Sequence, residues 1–171
     1  MSKKHLILYL LLLIFTQYNV CGQDNINSAE TLTLTRFEDF SVNQVKTLYS
    51  TIDIKIRRRD TSVGPIYFIV LNKVTDQRSK KLQITLQELE KVHKALQQLQ
   101  ETFLLDIATQ HEYLENQLTI KEDLKIGYLI RKNTSNWFLS SNEVAYFFKN
   151  PTTLLELVQS VKKKLIVLRQ E

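Results

Sequence analysis

Isoleucines at 52, 54 and 56 alternate with Asp53, Lys55 and Arg57. A period of two puts the first set on one face of a β-strand and the second on the other. Residues 60–65 then supply turn chemistry, with Gly64 and Pro65 punctuating the chain, so the spacing predicts a hairpin. Its return strand, residues 66–71, is apolar at successive positions, as expected of a central strand covered on each side. Upstream, residues 31–37 carry leucine on alternate positions and read as a first strand, whereas residues 38–46 show no clear pattern. Downstream, residues 75–79 mark a turn, and Leu82 and Ile84 a short third strand.

The period changes at Thr85. Thr85-Leu86-Gln87-Glu88 matches the S/T-x-x-E capping box, and beyond it Leu86, Leu89, Val92, Leu96, Leu99 and Phe103 recur at three and four. This is one apolar helical stripe, ending between residues 101 and 111. A second cycle follows, in which Leu118 and Ile120, then Ile126, Tyr128 and Ile130, then Trp137 and Leu139, then residues 145–148 supply three or four strand candidates. Asn150 and Pro151 have the chemistry of an N-cap and first helical position, and Leu154, Val158, Val161, Leu165 and Leu168 form the last stripe. Strand, strand, strand, helix therefore recurs over roughly 48–105 and 115–169. The class is α+β: a mainly antiparallel sheet with two helices packed on one face, as a degenerate β-β-β-α repeat or a single sheet with its strands in two groups. The aromatic residues Trp137, Phe138, Tyr146, Phe147 and Phe148 are read as core.

The N-terminus carries a different signal. Lys3 and Lys4 precede an apolar run at 6–15, too short to span a bilayer, and Val20 and Gly22 suit a signal peptidase. The reading is a signal peptide over 1–22, a flexible lead over 23–29 and a single domain over 30–171. The product is exported, periplasmic or extracellular, and has no integral membrane segment once the signal is removed. The alternative is a lipoprotein anchored through Cys21.

Composition then removes function classes. The three glycines are Gly22, Gly64 and Gly127, which leaves no glycine-rich phosphate loop and no G-x-S-x-G elbow. Cys21 is the only cysteine, so a chain starting at Gln23 has no disulfide, thiolate metal site or cysteine nucleophile. The full chain has a net charge of +5; removing Lys3 and Lys4 with the signal leaves 21 Lys and Arg against 18 Asp and Glu. That balance is mildly basic and below what a dedicated nucleic-acid binder carries.

Candidate chemistry is sparse. Glu90 and His93 stand at E-x-x-H spacing, but a di-iron site needs that pair twice, and the other histidine outside the signal, His111, has no such partner. No metal, cofactor or catalytic residue is assigned. The densest basic cluster is Lys55, Arg57, Arg58 and Arg59, with Arg78, Lys80 and Lys81 nearby if the hairpin forms. Lys55, Arg57 and Arg59 share a face, and with Tyr67 on the partner strand they make a candidate site for phosphate or acidic sugars. The competing reading is a solvated face that blunts an edge strand. Lys162, Lys163 and Lys164 fan around the last helix and suit its dipole.

From its Lys-Lys start, through Val20-Cys21-Gly22-Gln23, to the lysine-rich last helix, the chain resembles small secreted proteins of unknown function of Bacteroidota-type bacteria. Residues 81–90, where a strand runs into a helix, also resemble the end of the repeat in Whirly-type single-strand binders, which are built from strands followed by a helix. The function expected is an exported, non-catalytic binding or scaffold domain whose partner is an unspecified protein or envelope component. The alternative is a binder of acidic polymers, nucleic acid or acidic glycan, through the basic strand face; a hydrolase of unidentified type comes third.

Overall fold

A computed structural model describes residues 35–74, 80–132 and 134–170. The expected signal segment, the lead at 23–29, the start of the strand expected at 31–37 and the turn at 75–79 lie outside the described residues. Two four-stranded antiparallel sheets are each followed by a helix. The first half comprises β1 (Phe37–Lys46), β2 (Thr51–Thr61), β3 (Gly64–Val74), β4 (Lys80–Thr85) and α1 (Leu86–Ile107). The second comprises β5 (Tyr113–Lys121), β6 (Leu124–Arg131), β7 (Thr134–Ser140), β8 (Ala145–Phe148) and α2 (Pro151–Leu168). Strand order in each sheet follows the chain, so each is a simple meander. The α+β class with antiparallel pairing holds, and each half has four strands before its helix.

The extra strand in the first half is β1, over residues whose pattern gave no reading. A register shift between Ser41 and Asn43 interrupts the pairing with β2, so the period of two from Phe40 to Val42 fails at Val45, although all three pack toward the core. A bulge hides a strand from periodicity because it inserts a residue without a partner.

Helix α1 begins where the capping box places it. The Thr85 hydroxyl accepts from the Glu88 amide at 3.2 Å, and the Glu88 carboxylate accepts from the Thr85 amide at 2.7 Å. Lys121 reaches the same carboxylate at 3.1 Å. Thr85→Ala is expected to lower unfolding free energy by about 1 kcal/mol, the usual loss of an N-cap; a urea midpoint equal to that of the parent chain would show that the hydroxyl contributes nothing. At α2, Asn150 Oδ1 accepts from the Thr153 amide at 3.1 Å and Pro151 opens the helix.

Each helix also reaches the sheet of the other half. Helix α1 packs against β5 and β6 of the second sheet as well as β3 and β4, while α2 packs against β1 of the first sheet as well as β8. Hydroxyl groups mark these contacts: Tyr128 on β6 donates to Asp106 near the end of α1, and Tyr67 on β3 donates to the Leu168 carbonyl at the end of α2, at 3.4 Å. Tyr146 on β8 donates to the Leu71 carbonyl of β3 at 2.8 Å, and the Leu48 amide to the Phe147 carbonyl at 2.8 Å. One apolar cluster therefore includes Ile54, Leu71, Leu96, Trp137 and Val158, drawn from both sheets and both helices.

Trp137, Tyr146 and Phe148 belong to that core. Phe138 is buried too, outside that cluster, where it pairs with the half-buried Phe147 across β7 and β8 on the opposite face, ring centroids 6.2 Å apart; Phe147 is the one of the five aromatics expected in the core that is not buried. Among the described residues no helix is long and apolar enough to cross a membrane.

Candidate functional site

The β2–β3 turn fixes which side chains share the outer face of the first sheet. Gly64 adopts φ +131°, a conformation that disfavours any residue with a Cβ. The Thr61 hydroxyl donates to the Gly64 carbonyl at 2.6 Å and accepts from the Val63 amide at 3.3 Å. Thr61 therefore faces Gly64, which sets Arg59 opposite Ile66, Arg58 opposite Tyr67 and Arg57 opposite Phe68.

Parity follows from that register. Ile52, Ile54 and Ile56 point into the core with Leu71, Ile69 and Tyr67, while Asp53, Lys55, Arg57 and Arg59 share the other face with Asn72, Val70, Phe68 and Ile66. Of the expected site residues, Lys55, Arg57 and Arg59 are thus brought together. Tyr67 is not among them: it is 9% exposed on the inner face, with its hydroxyl on α2. The aromatics beside the arginines are Phe68 and, from β1, Phe37, neither of which was singled out from sequence. Counting back from the Gly64–Pro65 turn would have found Phe68.

The arginines stack on these rings. The Arg57 guanidinium carbon lies 5.8 Å from the Phe37 centroid and that of Arg59 lies 5.4 Å from the Phe68 centroid, within the range of cation–π attraction. Asp39, opposite Arg57 across the β1–β2 ladder, grips its guanidinium with both oxygens, at 2.7 and 2.8 Å. That hydrogen-bonded fork holds the Asp39 carboxyl below its ordinary pKa and pushes Arg57 up. Asp39 accordingly favours the fold above the usual carboxylate range and loses that contribution on acidification through it. Lys55 lies 3.6 Å from Asp53, and on the inner parity Arg58 pairs with Asp60 at 2.7 Å.

Arg59 differs from its neighbours. It is in no ion pair among the described residues, and its Nε is buried without a hydrogen-bond partner under the stack. Compared with protein-family models, curated proteins and solved structures, the chain has no match. The site must therefore be judged on its chemistry. The face carries Lys55, Arg57, Arg59 and Lys81 against Asp39 and Asp53, a positive excess that an anion can meet only by using Arg59 and Lys81 first or by exchanging with a carboxylate.

The E-x-x-H pair is occupied by a lysine. Lys162 donates to Glu90 Oε2 at 2.8 Å and lies 3.1 Å from His93 Nδ1, joining α1 to α2. The hydrogen bond from Lys162 lowers the Glu90 carboxyl pKa. Arg78 lies outside the described residues, and Lys81 stands on β4 opposite Asn72 of β3.

On the second sheet the corresponding face is less charged. Glu115 accepts from the Tyr113 hydroxyl at 2.5 Å, and Tyr49 from the β1–β2 loop meets Phe147 edge-on at 5.9 Å. In its core, burial and the Asp106 hydrogen bond push the Tyr128 hydroxyl up to about 12, so it stays protonated and donating well above neutral pH.

Proposed function

We propose that this chain is an exported, non-catalytic binding module and that its ligand is an acidic polymer laid along the outer face of the first sheet. The observation that supports this reading is the pair of guanidinium groups stacked on Phe37 and Phe68 across three strands, on the face opposite the one that carries the core isoleucines. A stacked guanidinium is fixed in orientation yet keeps its edge donors for phosphate, sulfate or carboxylate. The flanking rings add surface for planar groups. Asp39 and Asp53 moderate the field, so affinity depends on the ligand displacing carboxylates as well as condensed counterions.

The test is a salt series of fluorescence anisotropy with labelled heparin and with a labelled single-stranded oligonucleotide. Arg57→Ser/Arg59→Ser is expected to leave the far-ultraviolet dichroism unchanged and to lower the melting temperature by only a few degrees, because the partly exposed Asp39–Arg57 pair adds little to stability. It should weaken binding about tenfold or more and reduce the salt slope by about one to two. Retained affinity with the same slope removes these arginines from the site. No binding by the parent chain at low salt removes the polymer and leaves a protein or envelope component as the partner.

A further inference from the structure

The first turn of α1 and the last turns of α2 stand side by side and leave a cleft of about 430 Å³ between them. This is within the size of small-molecule sites and is separate from the sheet face. Its walls are aliphatic: Leu86 and Leu89 from α1, Leu165 and Ile166 from α2. Leu89 and Leu165 are buried at its floor, whereas Ile166, at 60% exposed, leaves a large apolar side chain in water at its lip.

The rim carries Lys162 and Arg169 against one carboxylate, Glu90. Lys162 is tied to the wall by Glu90 and His93 at 2.8 and 3.1 Å. Arg169, which follows the last residue of α2, is exposed at the mouth and is in no ion pair among the described residues. Such a space suits a molecule with an aliphatic body and one anionic end. The body covers Ile166 and lies along the three leucines, which removes apolar surface from water. The anion meets Arg169, whose planar guanidinium matches a carboxylate in two parallel hydrogen bonds.

We propose that this cleft binds an amphipathic monoanion, an aliphatic carboxylate of roughly ten carbons, with its chain between the two helices and its head on Arg169. The site is independent of the sheet-face reading. A polymer bound along β1–β3 would leave it empty, and a carboxylate in the cleft touches neither Arg57 nor Arg59.

Isothermal titration of the full chain with decanoate, below its aggregation concentration, tests this, with decanol as the uncharged counterpart. Saturable one-to-one binding of decanoate is expected, with decanol weaker by about tenfold. Arg169→Gln should bring decanoate down to the level of decanol. Ile166→Asp should abolish binding of both while the far-ultraviolet dichroism of the chain is unchanged, since the side chain is exposed. Equal affinity for decanoate and decanol, or an Arg169→Gln chain that binds decanoate as the parent does, overturns the assignment of the head. Failure of the parent chain to bind monomeric decanoate, with adsorption only to phosphatidylglycerol vesicles, overturns the site in favour of a lipid surface.

Discussion

Replacing Trp137 with Ala is expected to remove about 4 kcal/mol of stability and to lower the melting temperature by roughly 10–15 °C. Trp137 is the only tryptophan of the chain and is wholly buried. Its ring lies 5.2 Å from that of Phe103 on α1 and 5.0 Å from that of Tyr128 on β6, and those two are 5.0 Å from each other. The three rings close the contact between the helix of the first half and the sheet of the second, so deletion opens a cavity where the halves interlock. The indole Nε1 is buried without a hydrogen-bond partner, so the ring contributes through packing and its N–H only opposes burial. Trp137→Phe should therefore retain most of the stability that the alanine variant loses. Urea unfolding followed by far-ultraviolet dichroism gives both values, and a loss below 1 kcal/mol for the alanine variant would contradict the three-ring packing.

Gly127→Ala should cost about 3 kcal/mol, although it adds a single methyl group. Gly127 lies on β6 opposite Gln117 of β5 and Phe138 of β7. A Cβ there would collide with the Asn116 carbonyl oxygen and come within 2.8 Å of Phe138 Cζ and 2.9 Å of Gln117 Cα. Two of those three neighbours are backbone, so β5 itself must shift and its ladder with β6 is strained. Trimming the aromatic, as Gly127→Ala/Phe138→Leu, should recover only part of the loss, because the β5 backbone stays in the way. Full recovery would assign the whole effect to the Phe138 ring. Thermal melting of the single and double variants reads the difference.

Local signals carried much of the architecture. The alternation at Ile52, Ile54 and Ile56, the Thr85–Glu88 box and the Asn150–Pro151 start each depend on neighbours within a few residues, and each appears where its pattern puts it. What escaped depends on pairing between distant residues. Strand β1 was hidden by its irregularity near Val42. Tyr67 joined the candidate site by its strand alone, and only the hairpin register, set by Thr61 and Gly64, puts it opposite Arg58 on the inner face. The Asp39–Arg57 fork needs the β1–β2 register as well, and no spacing along the chain announces it. The reach of each helix to the other sheet was likewise illegible, since an amphipathic stripe states that a helix has a buried face but not which sheet will cover it.

That reach has a kinetic consequence. Among the described residues, the helix that packs on residues 37–46 is formed by residues 151–168, near the far end of the chain. A chain emerging from its N-terminus can pair β1 to β4 and lay α1 on β3 and β4, yet β1 then lacks its helix and α1 lacks β5 and β6. Neither half can act as a finished folding unit for the other to build on. The barrier must be crossed with contacts of long sequence separation, which close slowly. Until α2 arrives, the apolar side of β1 lacks its helix and is open to other unfinished chains, which makes the interval before the C-terminal helix forms the one most exposed to association.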